Sequence, residues 1–321
     1  MRQTIQPEEP NRVQEAFLRL QDDLCQEIEA REGSELIIED KWNRPGGGGG
    51  ISRAVQGGRI LEKGGVNFSR VCGDALPAPA SARKLELAGR PFEAMGVSVV
   101  LHPCNPFAPT AHMNVRAFFI LPEHEDQEIQ WWFGGGFDLT PCYGFKEDAI
   151  RWHQAAHDIC EQSQPGLYRR FKQECDRYFY LPHRDECRGV GGIFFDDFCE
   201  LGFERTFAFA KSVGYGFRDA FFSLLDQRAA TDFNEEQKQF QRLRRGRYVE
   251  FNLLHDRGTR FGLVSGGRTE SILMSLPAEA CWSYGWEPTP DTPEALLVEE
   301  FLRPRDWLSP GAPFESTESR P

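Results

Sequence analysis

Seven histidines occur in the 321 residues, and their spacing sorts them by the chemistry each could support. His153 and His157 stand four apart on a helical pattern, the spacing at which two imidazoles hold zinc. Gln154, however, occupies the place of the general base that a zinc hydrolase needs. His183-Arg184-Asp185, with His255 and Arg268 downstream, follows the order of a two-histidine, one-carboxylate iron site, although an H-x-D alone is a weak signal. His124, in the acidic loop Glu123-His124-Glu125-Asp126, reads as surface.

His102 and His112 lie in strand-like stretches, where residues of one parity share a face. On 92–102, Val97, Val99 and Leu101 form an apolar side, with Ser98 and His102 opposite. On 112–121, Met113, Val115, Ala117 and Phe119 are apolar, with His112, Asn114 and Arg116 opposite. On 129–138, Gln130, Trp132, Gly134, Gly136 and Asp138 share a parity. If the three strands pair in order, one face collects Ser98, His102, His112, Asn114, Arg116 and Asp138. A solvated outer face is the default for an antiparallel sheet, but such faces are rich in Lys and Glu, which this one lacks. Gly134–Gly136 also cost a strand stability unless something must approach the backbone closely. The functional reading is therefore favoured.

The stretch Glu250–Leu263 continues through Ser265-Gly266-Gly267-Arg268-Thr269-Glu270-Ser271. Gly266-Gly267 before a helix-like 271–276 offers backbone donors to an anionic oxygen. Arg257, Arg260 and Arg268 could grip carboxylates through two parallel bonds.

Positioning these groups requires several elements. Val13, Phe17, Leu20, Leu24 and Ile28 predict an amphipathic helix over 12–31. Strand patterns fall at 36–42, 92–102, 112–121, 129–138 and 190–196. Helical patterns fall at 145–162, 166–177, 202–227, 233–244 and 293–302. Strands followed by helices predict an α+β fold with an antiparallel sheet. The run Gly46–Gly50 reads as a flexible loop or a mobile lid. Residues 1–10 and 308–321 read as frayed ends. Neither G-x-G-x-x-G nor G-x-x-x-x-G-K-[ST] occurs, so nucleotide-phosphate loops are not expected.

With 37 Lys+Arg against 49 Asp+Glu the formal charge is −12, which disfavours nucleic acid as a partner. No apolar run of about 18 residues is present, so no membrane insertion is expected. The polar N-terminus suggests neither a signal nor a transit peptide, so a cytoplasmic location is expected. Nine cysteines without a Cys-x-x-Cys pair read as reduced thiols and disfavour zinc ribbons and iron–sulfur clusters. The 26 Phe and seven Trp suit either a large core or the wall of a site for a flat ligand.

Six blocks together resemble oxygen-dependent coproporphyrinogen III oxidases of bacterial type: 64–69 (GGVNFS), 102–110 (HPCNPFAPT), 112–116 (HMNVR), 131–141 (WWFGGGFDLTP), 183–197 (HRDECRGVGGIFFDD) and 250–263 (EFNLLHDRGTRFGL). The resemblance spans about Trp42 to Trp307. It implies one α+β domain over 1–321, with a large antiparallel sheet flanked by helices on both sides, assembled as a homodimer through about 248–283. It implies conversion of two propionates of coproporphyrinogen III to vinyl groups, with molecular oxygen as oxidant, in haem biosynthesis. By position, Ser98, Asn114, Val115, Arg116, Gly266, Gly267 and Arg268 would bind substrate, and His112 would donate a proton. Asp256 and Arg257 match a pair tied to catalysis, and His102, His112, His153 and His183 would hold a divalent metal cation.

No flavin, haem or iron–sulfur cluster is expected, because the electron-rich pyrrole can react with oxygen itself. The protein need then only set a base near a pyrrole N–H, hold the propionate and exclude water. Asp138 and Asp256 are both candidates for that base, with Arg116 and Arg268 as carboxylate holders. The alternatives are an iron oxygenase using His183, Asp185 and His255, and a porphyrin-binding protein without turnover.

Overall fold

A computed structural model describes residues 5–76, 87–124, 127–264 and 267–309. The chain opens with α1 (Glu9–Glu32), whose buried stripe is Val13, Phe17, Leu20, Leu24 and Ile28, as the spacing predicts. Within residues 5–10, Ile5 and Pro10 are buried.

Among the described residues, seven strands then form one antiparallel sheet: β1 (Ile37–Asn43), β2 (Gly48–Gln56), β3 (Leu61–Gly73), β4 (Phe92–Pro103), β5 (Thr110–Ile120), β6 (Gln130–Thr140) and β9 (Gly191–Phe198), neighbours in that order. A separate hairpin pairs β7 (Tyr180–Leu181) with β8 (Glu186–Cys187). The helices are α2 (Lys146–Ser163), α3 (Leu167–Tyr178), α4 (Phe203–Arg228), α5 (Glu235–Leu254), α6 (Arg257–Val264), α7 (Thr269–Leu273) and α8 (Pro293–Leu296). The fold is α+β.

The glycine-rich stretch departs from the expected loop. Gly46 and Gly47 turn the chain, but Gly48–Gly50 belong to β2, all three pairing with β3 and Gly49 and Gly50 also with β1. Gly48 has φ +88°, and a Cβ there would lie 2.1 Å from the Arg70 carbonyl oxygen. At Gly50 a Cβ would lie 2.4 Å from the Trp42 indole. These glycines are strand residues chosen for clearance, which composition reads as a loop.

One face of the sheet is apolar. Val97, Val99, Leu101, Met113 and Val115 are fully buried there, with α1 against β3 and β4 and α4 against β5 and β6. The other face carries α5 to α7 at one side. Asn234 starts α5 with a reciprocal capping box to Gln237, worth about 1 kcal/mol. The helix runs ten residues past the expected end at 244, because Arg244, Arg245 and Arg247 are buried against Glu186, Glu62 and Glu250. The α7 segment is stitched to the sheet: Asn67 Nδ2 donates to Ser271 O (2.7 Å), and the Ser52 and Ser271 hydroxyls are 2.6 Å apart. Met274 rests where a Cβ of Gly65 would stand. Among the described residues, no helix is long and apolar enough to cross a membrane.

Candidate functional site

Between the polar sheet face and helices α3, α5, α6 and α7 lies a cavity of about 660 Å³. Register, not proximity in sequence, assembles its floor. Asn67, Ser98, Asn114 and Gly136 sit side by side on β3 to β6, and Val100 and His112 form the next row. Tyr178, Phe179 and Phe194 supply aromatic walls, Tyr178 stacking on Phe194 at 4.4 Å between centroids. Arg116 lies across Gly134, where a Cβ would come within 2.7 Å of its guanidinium. The glycine triplet thus clears room for that arginine and for the β9 backbone, as well as opening Gly135 and Gly136 to the cavity.

His112 is the most specifically placed group. Its Nδ1 is 2.9 Å from Asp138 Oδ1. Asp138 is buried and receives three contacts of 2.8–3.2 Å from the Arg188 guanidinium, itself buried. Burial alone would oppose ionisation of Asp138, but Arg188 and His112 outweigh it and hold the carboxyl below its usual range. An ionised Asp138 only accepts, so His112 must donate through Nδ1, which leaves Nε2 for the cavity. Arg188 also donates to Asn252 Oδ1 (2.9 Å) and lies 4.2 Å from the Phe179 ring centroid. The three residues form a rigid line behind one imidazole.

The two candidate bases differ in place. Asp138 stands behind His112 and is not among the residues of the cavity wall, whereas Asp256 is. Asp256 starts α6, accepting from Thr259 N (2.7 Å) and Thr259 Oγ1 (2.7 Å) through Oδ2 and from Tyr178 Oη (2.7 Å) through Oδ1. Burial again opposes its charge, and these donors hold the carboxyl below its usual range. The Tyr178 phenol is pushed up to about 12, chiefly by burial and then by Asp256. Arg257 donates its backbone N–H to Tyr178 Oη (3.1 Å), and its guanidinium is 3.4 Å from Asp196. Asp196 also receives Arg116 at 2.8 Å.

The other expected residues separate. Ser98, Asn114, Gly267 and Arg268 line the cavity. Arg268 is also bonded to Asp40 of β1, both partly exposed. Val115 turns its side chain into the opposite, apolar core, where it is fully buried. Gly266 lies outside the described residues.

The four histidines of the expected metal set do not meet. His102 is enclosed, its ring nitrogens engaged by Thr110 Oγ1 (3.2 Å) and Ser275 O (2.9 Å). His153 is enclosed between Tyr168 Oη (2.9 Å) and Val190 O (2.9 Å). His183 is on the surface with Glu250 (2.8 Å) and His255 (3.2 Å). Among the described residues no three metal-ligating side chains gather, so the residues present do not fit that shared ion. The iron-site alternative fails for the same reason, since Asp185 turns to Tyr180 and Arg303 instead of joining His183 and His255. His157 pairs with Asp158 and packs edge-on against Tyr168, the ring whose hydroxyl also bonds His153.

Sequence reasoning missed Arg188, Asp196, Tyr178, Asn67 and Asp40. Arg188 had a usable signal: one charge inside Cys187-Arg188-Gly189-Val190-Gly191, a stretch otherwise fit for burial. Against known families, the model of coproporphyrinogen III oxidase matches residues 12–307, and the chain belongs to that family.

Proposed function

We propose that this chain of the coproporphyrinogen III oxidase family is an oxygen-dependent enzyme and that the cavity over the polar sheet face binds coproporphyrinogen III. Each propionate would lose carbon dioxide and, as a hydride equivalent, two electrons and a proton. Oxygen would accept these with a second proton to give hydrogen peroxide, leaving a vinyl group. The product after two rounds would be protoporphyrinogen IX.

The observation that carries this reading is one imidazole facing a flat, aromatic-walled cavity while buried groups fix its other nitrogen. Ser98, Asn114, Arg116 and Arg268 are the proposed substrate contacts, and His112 the acid–base group. Asp256, an ionised carboxylate on the wall, is the proposed pyrrole N–H base. Asp138 acts through His112. A general acid–base group contributes about 100- to 10,000-fold in rate.

The test is oxygen uptake with coproporphyrinogen III, with and without a chelator, alongside detection of peroxide and carbon dioxide. Uptake that yields two carbon dioxide per macrocycle supports the reading. Turnover only without oxygen and with another electron acceptor refutes the oxygen-dependent form, and binding without turnover leaves a porphyrin-binding protein.

A homodimer and a cytoplasmic location belong to the same proposal. Leu253, Leu254, Leu263, Val264 and Trp282 are all exposed apolar side chains within the expected interface segment, and exposed Tyr284 directly follows it, an arrangement that favours burial against a second copy. Sedimentation at micromolar concentration should show a dimer, and a stable active monomer would remove that part.

A further inference from the structure

Three arginines on the cavity wall are each held by an aspartate of the chain: Arg116 by Asp196, Arg188 by Asp138 and Arg268 by Asp40. Arg44 lines the same cavity, yet its side chain has no ion pair or hydrogen bond among the described residues. Its backbone, in contrast, is fixed. Arg44 N–H donates to Gly48 O, and Arg44 O accepts from Gly47 N–H, both at 3.0 Å. Gly47 and Gly48 have φ of +101° and +88°, which L side chains adopt only under strain. Part of the pentaglycine therefore shapes the turn that presents Arg44.

The sheet gives the span. Trp42, Gly50, Ser69, Gly96 and Arg116 stand in one row across β1 to β5, and four strand spacings of about 4.8 Å make about 19 Å. Arg44, two residues beyond Trp42, thus stands about 20 Å from Arg116 by the same geometry. Apolar Val71, Ala94 and Phe118 line the wall near its end of the cavity. An unpaired guanidinium beside apolar walls, far from the imidazole that faces the reacting group, suits a carboxylate on the far rim of a large flat ligand.

We propose that Arg44 is a carboxylate subsite at the end of the cavity away from His112, holding a propionate of the macrocycle that is not then reacting. The inference rests on the reading of the cavity as a coproporphyrinogen site. Its test uses the full chain with Arg44→Gln and Arg44→Lys, and Arg59→Gln as a control. Arg59 is exposed, bonds the Arg31 carbonyl and is not on the cavity wall. The readouts are KM and kcat for coproporphyrinogen III, fluorescence-monitored binding of coproporphyrin III, and thermal midpoint.

Arg44→Gln should raise KM and the dissociation constant about 5- to 10-fold, the low end for a charge-assisted contact that stays partly in water. Its kcat and midpoint should stay at the wild-type values, and Arg44→Lys should recover part of the loss. Wild-type KM in Arg44→Gln, or a shift matched by Arg59→Gln, would overturn the subsite. A lower midpoint with unchanged KM would assign Arg44 to the turn and likewise overturn it. If the wild-type chain neither turns over coproporphyrinogen nor binds coproporphyrin, the reading of the cavity fails and the subsite with it.

Discussion

His102 and His153 sit at zero exposure with both ring nitrogens bonded inside the fold, which makes a quantitative prediction about acid. Burial is the leading cause that pushes each down to about 3, with Arg245 adding for His102 and Lys172 for His153. An unfolded histidine titrates near 6.5. Between those values the unfolded chain binds two more protons than the folded one, so stability is complete above pH 6.5 and falls as pH drops toward 3. Each proton costs about 1.4 kcal/mol per pH unit. At pH 5 the two histidines together remove about 4 kcal/mol relative to pH 7.5, a large part of a typical 5–15 kcal/mol. His255, shifted down by burial and His183, adds in the same sense. Asp176, which burial raises, works in the opposite sense just above 3.8. Urea unfolding at pH 7.5, 6.5, 5.5 and 5.0, with and without a chelator, reads the slope. We expect about two protons, a chelator-insensitive curve, and about one proton for His153→Gln. A slope below one proton would refute the enclosure of both histidines. A chelator-dependent loss at pH 7.5 would show that they ligate a metal after all.

Two further predictions concern the cavity. In Asp138→Asn the amide oxygen should stay with Arg188 and its NH2 should face His112 Nδ1, moving the ring proton to Nε2. We expect kcat to fall about 100- to 10,000-fold, with a stability loss of about 3–5 kcal/mol from the uncompensated Arg188, and wild-type kcat in the folded variant would disprove the alignment. Arg268 and Asp40 are partly exposed, so their pair is worth about 0–1 kcal/mol. Asp40→Asn should therefore lower KM by at most about 5-fold, whereas Arg268→Ala raises it and Arg268→Lys falls between. KM shifts of the same sign in Asp40→Asn and Arg268→Ala would reduce the contact to a tie between α7 and β1.

What the sequence revealed follows from periodicity. Parity alone brought Ser98, His112, Asn114, Arg116 and Asp138 to one face, because register in an interior antiparallel strand is bound to its alternation. It could not show that Asp138 stands behind His112, since Arg188 arrives from 50 residues later in the chain. The β2 and β3 strands were hidden by their glycines, which accommodate Trp42, Met274 and adjacent backbone rather than following strand propensity. The helical pattern stopped at 244 because the burial of Arg244, Arg245 and Arg247 depends on Glu186, Glu62 and Glu250, two of which are distant in sequence. His102 and His153 were placed with a metal by resemblance. Three-dimensional enclosure by Thr110, Ser275, Tyr168 and Val190 gives each imidazole a sufficient reason to be there without one.

The pairing of arginines inside the cavity sets an order on what a polyanionic ligand can displace. Arg188 and Asp138 are almost fully buried, and separating them would strand a charge at a cost of about 3–5 kcal/mol, so this pair is scaffold. Arg116 and Asp196 are about one quarter exposed, which allows a carboxylate to share Arg116 without expelling Asp196. Arg268 and Asp40 are more exposed still, and exchange of Asp40 for a ligand carboxylate costs little. Arg44 requires no exchange. A molecule of charge −12 can thus present three guanidiniums, Arg116, Arg268 and Arg44, to ligand carboxylates without a standing excess of positive charge. On the proposed reading, its own aspartates order Arg116 and Arg268, and Asp40, the most exposed of them, is the one a ligand carboxylate would replace.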